Sequence, residues 1–166
     1  ATLRDLFRSW GLDAARYGTA QWNPLGQWIK PGSKVVLKPN WVLHYNQSNR
    51  RMDCLITDSS VLEAILEYVF LAQPGSVIVG DAPLQGCDFA ALLANSRFDA
   101  VVDRFRARGL DVKVRDFRRT VLDSWQGSVG NRHEGVRGMD EYVLFNLGAQ
   151  SLLEEITPRD SKFRVT

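Results

Sequence analysis

The chain has 166 residues, of which 45% are hydrophobic and 24% are charged; these values fit one globular domain and exclude a fibrous or disordered protein. The formal net charge of +2 is too small to predict a nucleic-acid partner, and Glu67 interrupts the longest hydrophobic stretch, so no membrane span is expected. Two cysteines, Cys54 and Cys87, are too few for a disulfide framework and favour a reducing, cytoplasmic location.

The first half of the chain predicts a helix, a strand and a second helix. Apolar residues between Leu3 and Trp10 recur at helical spacing and predict a short amphipathic helix. The run at residues 35–38 is mostly apolar and is typical of a strand covered on both faces. Hydroxyl and carboxylate residues then precede a helical pattern at residues 60–72, which ends before Pro74 and Gly75.

The second half repeats this alternation. The pattern predicts a strand at 76–80, a helical turn at 89–93, a helix at 98–108, and further strands at 112–117 and 141–148. A loop rich in glycine and polar residues is expected between Gln126 and Gly138. The order favours an α/β fold, a three-layer domain with a mostly parallel central sheet and helices on both faces. We therefore expect one domain over residues 1–166.

Polar residues follow the predicted parallel strands where each strand ends. Lys38 follows the first strand, Asp81 the second, and Asp116 lies at the end of the third. Ligands of open parallel sheets bind beyond the carboxyl ends of the strands, so we expect these side chains to line one crevice. Lys38 and Asp81 are the candidate catalytic residues. The candidate ligand-binding residues are Asn40, Thr57, Asp58, Ser59 and Gly80. Asn40 and Gly80 lie at the strand ends, and the other three lie at the start of the second helix, which suits an anion.

Each candidate also has a plain structural interpretation. Lys38 can carry its charge out of the sheet, and Asn40 after Pro39 is typical of a turn. Asp81 can bind a hydroxyl or a divalent cation, act as a base, or cap the following turn. The three residues Thr57 to Ser59 can serve only as helix caps.

No metal or cofactor site is expected from the remaining residues. His44 and His133 lie in polar loops far apart in sequence, and neither cysteine belongs to a CxxC pair. The segment "GDAPLQG" matches neither a dinucleotide fingerprint nor a P-loop. The arginines of "RFRARG" and "RDFRR" are interpreted as solvent-exposed side chains. A surface that binds phosphate or nucleic acid is the minor alternative.

Five segments resemble successive blocks of one known family. "KVVLKPNWV", "ITDSSVLEAILEYV", "VIVGDAP", "NLGAQSLLEEI" and "SKFRVT" are similar to blocks of domain of unknown function family 362 (DUF362). The resemblance implies an α/β domain of bacterial and archaeal proteins, several of which carry a ferredoxin-like segment, with no general activity established. The residues that match its motifs are Lys38, Pro39, Asn40, Thr57, Ser60, Gly80, Asp81 and Pro83.

The chain also departs from the family pattern. Asp58 and Ser59 stand where relatives often have histidine and proline, so no role of that histidine carries over. A lysine-rich block that follows in many members is not found here, which predicts a domain truncated at its C-terminus. Because the chain has only two cysteines, no iron–sulfur cluster is expected.

Two functions remain open from the sequence. The first is binding of a small anionic metabolite at the carboxyl ends of the parallel strands, as part of an enzyme. The second is a noncatalytic binding or assembly module that a protein partner, a second copy or a missing C-terminal segment completes.

Overall fold

The computed structural model describes residues 2–125, 128–135, 139–143, 145, 147 and 150–152. The helices are α1 (Leu3–Ser9), α2 (Ser59–Leu71), α3 (Phe89–Ser96) and α4 (Phe98–Ala107). The strands are β1 (Lys34–Leu37), β2 (Ser76–Asp81), β3 (Val112–Asp116), β4 (Thr120–Trp125) and β5 (Ser128–Glu134), and short 3-10 helices lie at Ala14–Arg16 and Met139–Glu141. Strands β1, β2 and β3 form a parallel sheet in that order, which confirms the predicted α/β domain with a parallel sheet.

Short polar side chains set where the helices begin. Thr2 and Asp5 form a reciprocal capping box at the start of α1. Asp58 and Asp88 cap α2 and α3 by accepting hydrogen bonds from backbone N–H groups of their first turns. Gly109 has a φ of +77° directly after α4, a conformation in which glycine is unstrained, so the chain can leave the helix there.

One face of the parallel sheet carries the core. Val77, Val79 and Val112 point to this face and form one buried cluster with apolar residues of α2, α3 and α4. With the strand order β1-β2-β3, two right-handed crossovers place their helices on the same face. The helices are also joined at their outer surface, where Arg104 of α4 makes a bidentate pair with Glu63 of α2 at 2.8 Å.

The opposite face of the sheet is more exposed. The register aligns Val36 of β1 with Ile78 of β2 and Lys113 of β3 on that face. The Val36 side chain is 58% exposed, and Lys113 is also exposed. In the described part of the chain, the helices that contribute residues to the buried core pack against the other face of the sheet.

Two parts of the sequence expectation need comment. The polar loop predicted between Gln126 and Gly138 is wrong in part, because Ser128–Glu134 forms β5 and pairs antiparallel with β4. A polar strand gives no hydrophobic period, so only its backbone pairing reveals it. Of the strand predicted at 141–148, Glu141 instead ends a 3-10 helix, and residues 144, 146 and 148 lie outside the described residues.

The boundaries of the other predicted elements agree closely with the structure, but β4 (Thr120–Trp125) was not predicted. Helix α3 continues three residues beyond the predicted turn, to Ser96, because Asp88 caps it and Leu92 anchors it in the core.

No helix within the described ranges is long and apolar enough to cross a membrane. The extent of the single domain, residues 1–166, stays a prediction.

Candidate functional site

The carboxyl ends of β1 and β2 are joined by an ion pair between two of the predicted site residues. Nζ of Lys38, directly after β1, lies 2.8 Å from Oδ1 of Asp81 at the end of β2. The Lys38 side chain is 65% exposed, whereas that of Asp81 is 6% exposed. Nζ also donates to the carbonyl oxygen of Pro39 at 3.2 Å. The ammonium is therefore the member of the pair that a ligand in solvent can reach.

The Asp81 carboxylate accepts hydrogen bonds from two backbone N–H groups, one in the segment after β1 and one directly after β2. Oδ2 accepts a hydrogen bond from the N–H of Trp41 at 2.7 Å, and Oδ1 accepts one from the N–H of Ala82 at 2.8 Å. Together with Lys38, these donors engage both oxygens. The arrangement fixes the segment that follows β1 across the end of β2. The catalytic roles assigned to Lys38 and Asp81 stay predictions.

Asn40 and Thr57 are brought together beside this ion pair. The N–H of Asn40 donates to the Thr57 hydroxyl oxygen at 2.8 Å, and the N–H of Thr57 donates to the carbonyl oxygen of Asn40 at 2.8 Å. An isolated antiparallel bridge between Trp41 and Ile56 continues the contact. The start of α2 thus meets the end of β1, and a shared ligand site there stays a prediction.

The other helix-start residues are engaged within the chain. Asp58 accepts hydrogen bonds from the side chain and the backbone N–H of Ser60, which hold the pKa of its carboxyl below the usual range. The Ser59 hydroxyl donates to the carbonyl oxygen of Ser96 at 2.8 Å, so it joins α2 to the end of α3. The capping interpretation therefore describes Asp58, whereas the Ser59 side chain does not cap α2.

Gly80 is required by packing. A Cβ at this position would collide with the carbonyl oxygen of Arg115 and with the ring of Phe117. The Phe117 ring therefore covers the backbone of β2 at its carboxyl end. Ligand contact by Gly80 stays a prediction.

A crevice of about 620 Å³ lies at the carboxyl ends of β2 and β3, beyond the Lys38–Asp81 pair. Its lining includes His44, Gln85, Cys87, Asp88, Ala90 and Arg118. A crevice therefore lies at the strand ends, and Asp116 is the strand-end residue named from the sequence that lines it. None of the candidate catalytic or ligand-binding residues is in its lining. We call this cavity the strand-end crevice.

Arg118 organises the floor of the strand-end crevice. Its side chain is only 4% exposed, and Nη2 lies 2.6 Å from Oδ2 of Asp116 at the end of β3. Nη1 donates to the carbonyl oxygens of Leu84, Gln85 and Cys87 at 3.0, 3.3 and 2.9 Å. The expectation of a solvated arginine is wrong for Arg118. The only sequence signal was its position two residues after an aspartate at a strand end.

His44 forms one wall of the strand-end crevice. Its Nδ1 accepts a hydrogen bond from the N–H of Asp88 at 3.0 Å, so in the neutral imidazole the proton is on Nε2. Its carbonyl oxygen accepts from the Asn95 side chain at 2.8 Å. These two bonds tie the polar excursion after β1 to α3. The histidine is thereby fixed as a hydrogen-bond donor beside the crevice.

Cys87 is buried at the same wall. Burial raises the pKa of its thiol, and the nearby Arg118 charge opposes that rise without cancelling it. A raised pKa leaves less thiolate at neutral pH, and the thiolate is the reactive form. The environment of Cys87 therefore does not suit a nucleophile.

We expect Cys87 to react with a thiol reagent at least about 100-fold more slowly than the exposed Cys54, because the reagent must wait for local opening. The measurement is the time course of disulfide exchange with a chromogenic reagent, on the unaltered chain and on Cys54→Ser. Cys54→Ser should remove the fast phase. A fast phase that survives this substitution would contradict the burial of Cys87.

No group of three or more histidine, cysteine, aspartate and glutamate side chains that could hold a metal ion occurs among the residues described above. The sequence predicted no metal site but allowed a divalent cation at Asp81. Both statements stay predictions.

The comparisons with known proteins identify the family. A family model described as domain of unknown function (DUF362) matches residues 35–133, which is more than half of the chain. The match runs from the second residue of β1 through β4, and it includes the Lys38–Asp81 pair and every lining residue of the strand-end crevice named above. No curated protein and no solved structure matches. The extent of the family match shows that the chain belongs to the DUF362 family.

Proposed function

We propose that the chain binds a small anionic metabolite at the carboxyl ends of its parallel strands, as the substrate-binding part of an enzyme. The observation that carries the proposal is the strand-end crevice, which combines a volume of about 620 Å³ with the position where α/β sheets bind ligands. The proposal includes a prokaryotic protein and a cytoplasmic location. The two free cysteines accord with the cytoplasmic location, because thiols stay reduced there.

The crevice offers an anionic group backbone N–H donors rather than a surplus of positive charge, because its lining carries Asp88 and Asp116 against one cation, Arg118. The N–H groups of Phe89 and Ala90 belong to the first turn of α3, where no intrahelical acceptor exists, and they can bind an anionic group. Arg118 neutralises Asp116, while Asp88 retains an acceptor oxygen beyond the one that caps α3. Ligand hydroxyls can donate to these carboxylates. Phosphorylated sugars and hydroxy acids have both kinds of group.

Lys38 does not line the crevice, but it lies at the end of the neighbouring strand β1, and in this proposal it adds a further contact. Its ammonium has three N–H donors, and Asp81 and Pro39 accept from two of them. The third is available to a ligand because the side chain is largely exposed. In this proposal Lys38 attracts the anion, and Asp81 keeps the ammonium at the end of β1.

The test is a thermal-shift screen of phosphorylated sugars, hydroxy acids, neutral sugars, amines and divalent cations. An anion at about 100 times its Kd should stabilise the native state by about 2.7 kcal/mol and raise its melting temperature accordingly. Ala90→Glu should abolish this shift, because it places a carboxylate at the exposed start of α3 beside the crevice.

The matched control is Ala100→Glu, which changes an exposed alanine in the first turn of α4 away from the crevice. This variant should keep the full shift. Equal stabilisation by neutral sugars or amines, or an unchanged shift in Ala90→Glu, would refute an anion site in the crevice.

A second candidate is the noncatalytic assembly module. The observation in its favour is the exposed sheet face with Val36, since parallel sheets are covered on both faces in α/β proteins. A partner that covers this face would complete the usual architecture.

A further inference from the structure

The exposed face of the parallel sheet has an apolar centre with a basic rim. Val36 and Ile78 lie side by side in the register and form the centre, and the Phe117 ring covers Gly80 next to them. Lys34, Lys113 and Arg115 project from the same face, and all three are exposed. We call this surface the basic sheet face.

The charge of the basic sheet face has one sign. Because side chains alternate along a strand, Asp81 and Asp116 point to the core side of the sheet. Within the three described strands, no carboxylate shares the face with the three cationic side chains. Asp111 precedes β3 at the amino end of the sheet, where it is exposed and lines a cavity together with Lys113, so this carboxylate lies beside one end of the face. A partner would therefore meet three positive charges around an apolar pair.

We infer that the basic sheet face docks an acidic amphipathic helix of another protein. A helix is the element that covers a parallel sheet in α/β folds, so its apolar stripe would pack on Val36 and Ile78. Carboxylates that flank the stripe would pair with Lys34 on one side and with Lys113 and Arg115 on the other. This inference is independent of the strand-end crevice, which lies at the edge of the sheet.

The test uses fluorescent helical peptides of about 18 residues, long enough to hold a helix. One peptide has a leucine stripe flanked by glutamates, the second has the same stripe flanked by lysines, and the third scrambles the first so that no stripe forms. Fluorescence anisotropy with the full chain gives each Kd. Only the first peptide should bind, and its affinity should fall as salt is added.

Two substitutions locate the binding. Lys113→Glu should weaken the glutamate-flanked peptide roughly fivefold or more, since it replaces an attraction with a repulsion. Arg50→Glu, which reverses an exposed charge in the loop between β1 and α2, should leave the Kd unchanged. Val36→Glu should abolish binding, and its circular dichroism should match that of the unaltered chain.

Three results would overturn the inference. The first is equal binding of the lysine-flanked or scrambled peptide, or no binding of any peptide. The second is an unchanged Kd in Lys113→Glu. The third is a concentration-dependent dimer in sedimentation that Val36→Glu dissociates, because this result would assign the face to a second copy of the chain.

Discussion

Replacing Arg118 with methionine is expected to lower the free energy of unfolding by about 3 to 5 kcal/mol. The substitution keeps the length of the side chain but leaves Asp116 without its cationic partner. It also removes the donor that serves the carbonyl oxygens of Leu84, Gln85 and Cys87. Asp116 would keep the backbone N–H of residue 118, and the Leu84 carbonyl oxygen would keep the N–H of Cys87, but each would lose its charged donor. The carbonyl oxygens of Gln85 and Cys87 would lose the same donor, and each unmade bond costs free energy. Urea denaturation measures the loss.

Arg119→Met is the matched control for this prediction. Arg119 is the next residue and is exposed, so its replacement should change the free energy of unfolding by no more than about 0.5 kcal/mol. Arg118→Lys should lie between the two, because it keeps the charge but cannot reach Asp116 and the carbonyl oxygens together. Equal stability of the two methionine variants would mean that the buried ion pair contributes nothing to the fold.

Replacing Asp81 with asparagine is expected to cost about 2 to 3 kcal/mol. Asparagine has the same shape, so no cavity forms. Its amide has one acceptor oxygen, which can serve only one of the two backbone N–H groups that bond Asp81. Its NH₂ group would then point at the other N–H, that of Trp41 or of Ala82, so that two donors face each other. Lys38 loses its charge partner but stays hydrated, which keeps the loss below that of a fully buried pair.

Asp103→Asn provides the comparison for Asp81. Asp103 also pairs with an arginine, but its side chain is 71% exposed, so the substitution should cost no more than about 1 kcal/mol. The experiment also tests the catalytic prediction for Asp81. If Asp81→Asn keeps its stability and loses only ligand binding, the carboxylate acts in the site rather than in holding the segment after β1.

The ends of the strands could be predicted from the sequence, but the residues that line the crevice there could not. Strand ends could be located because an apolar run that stops at Lys38 or Asp81 marks where a buried strand leaves the core. Residues such as His44 and Arg118 could not be found, because their contacts join segments 31 to 51 positions apart in sequence. Arg118 is identified by its burial and His44 by its hydrogen bonds to Asp88 and Asn95, and no local pattern of polar residues reports either.

The sequence by itself determined the elements and their order. Hydrophobic period, helix caps and turn residues act over a few positions, so they specify α2, β2 and the parallel sheet without knowledge of distant contacts. Only the tertiary structure decided that Arg118 is buried, that Ser128–Glu134 is a strand and that one face of the sheet stays exposed. Each of these depends on which distant segments meet, because a charged or polar residue takes its partner from whatever the fold brings beside it.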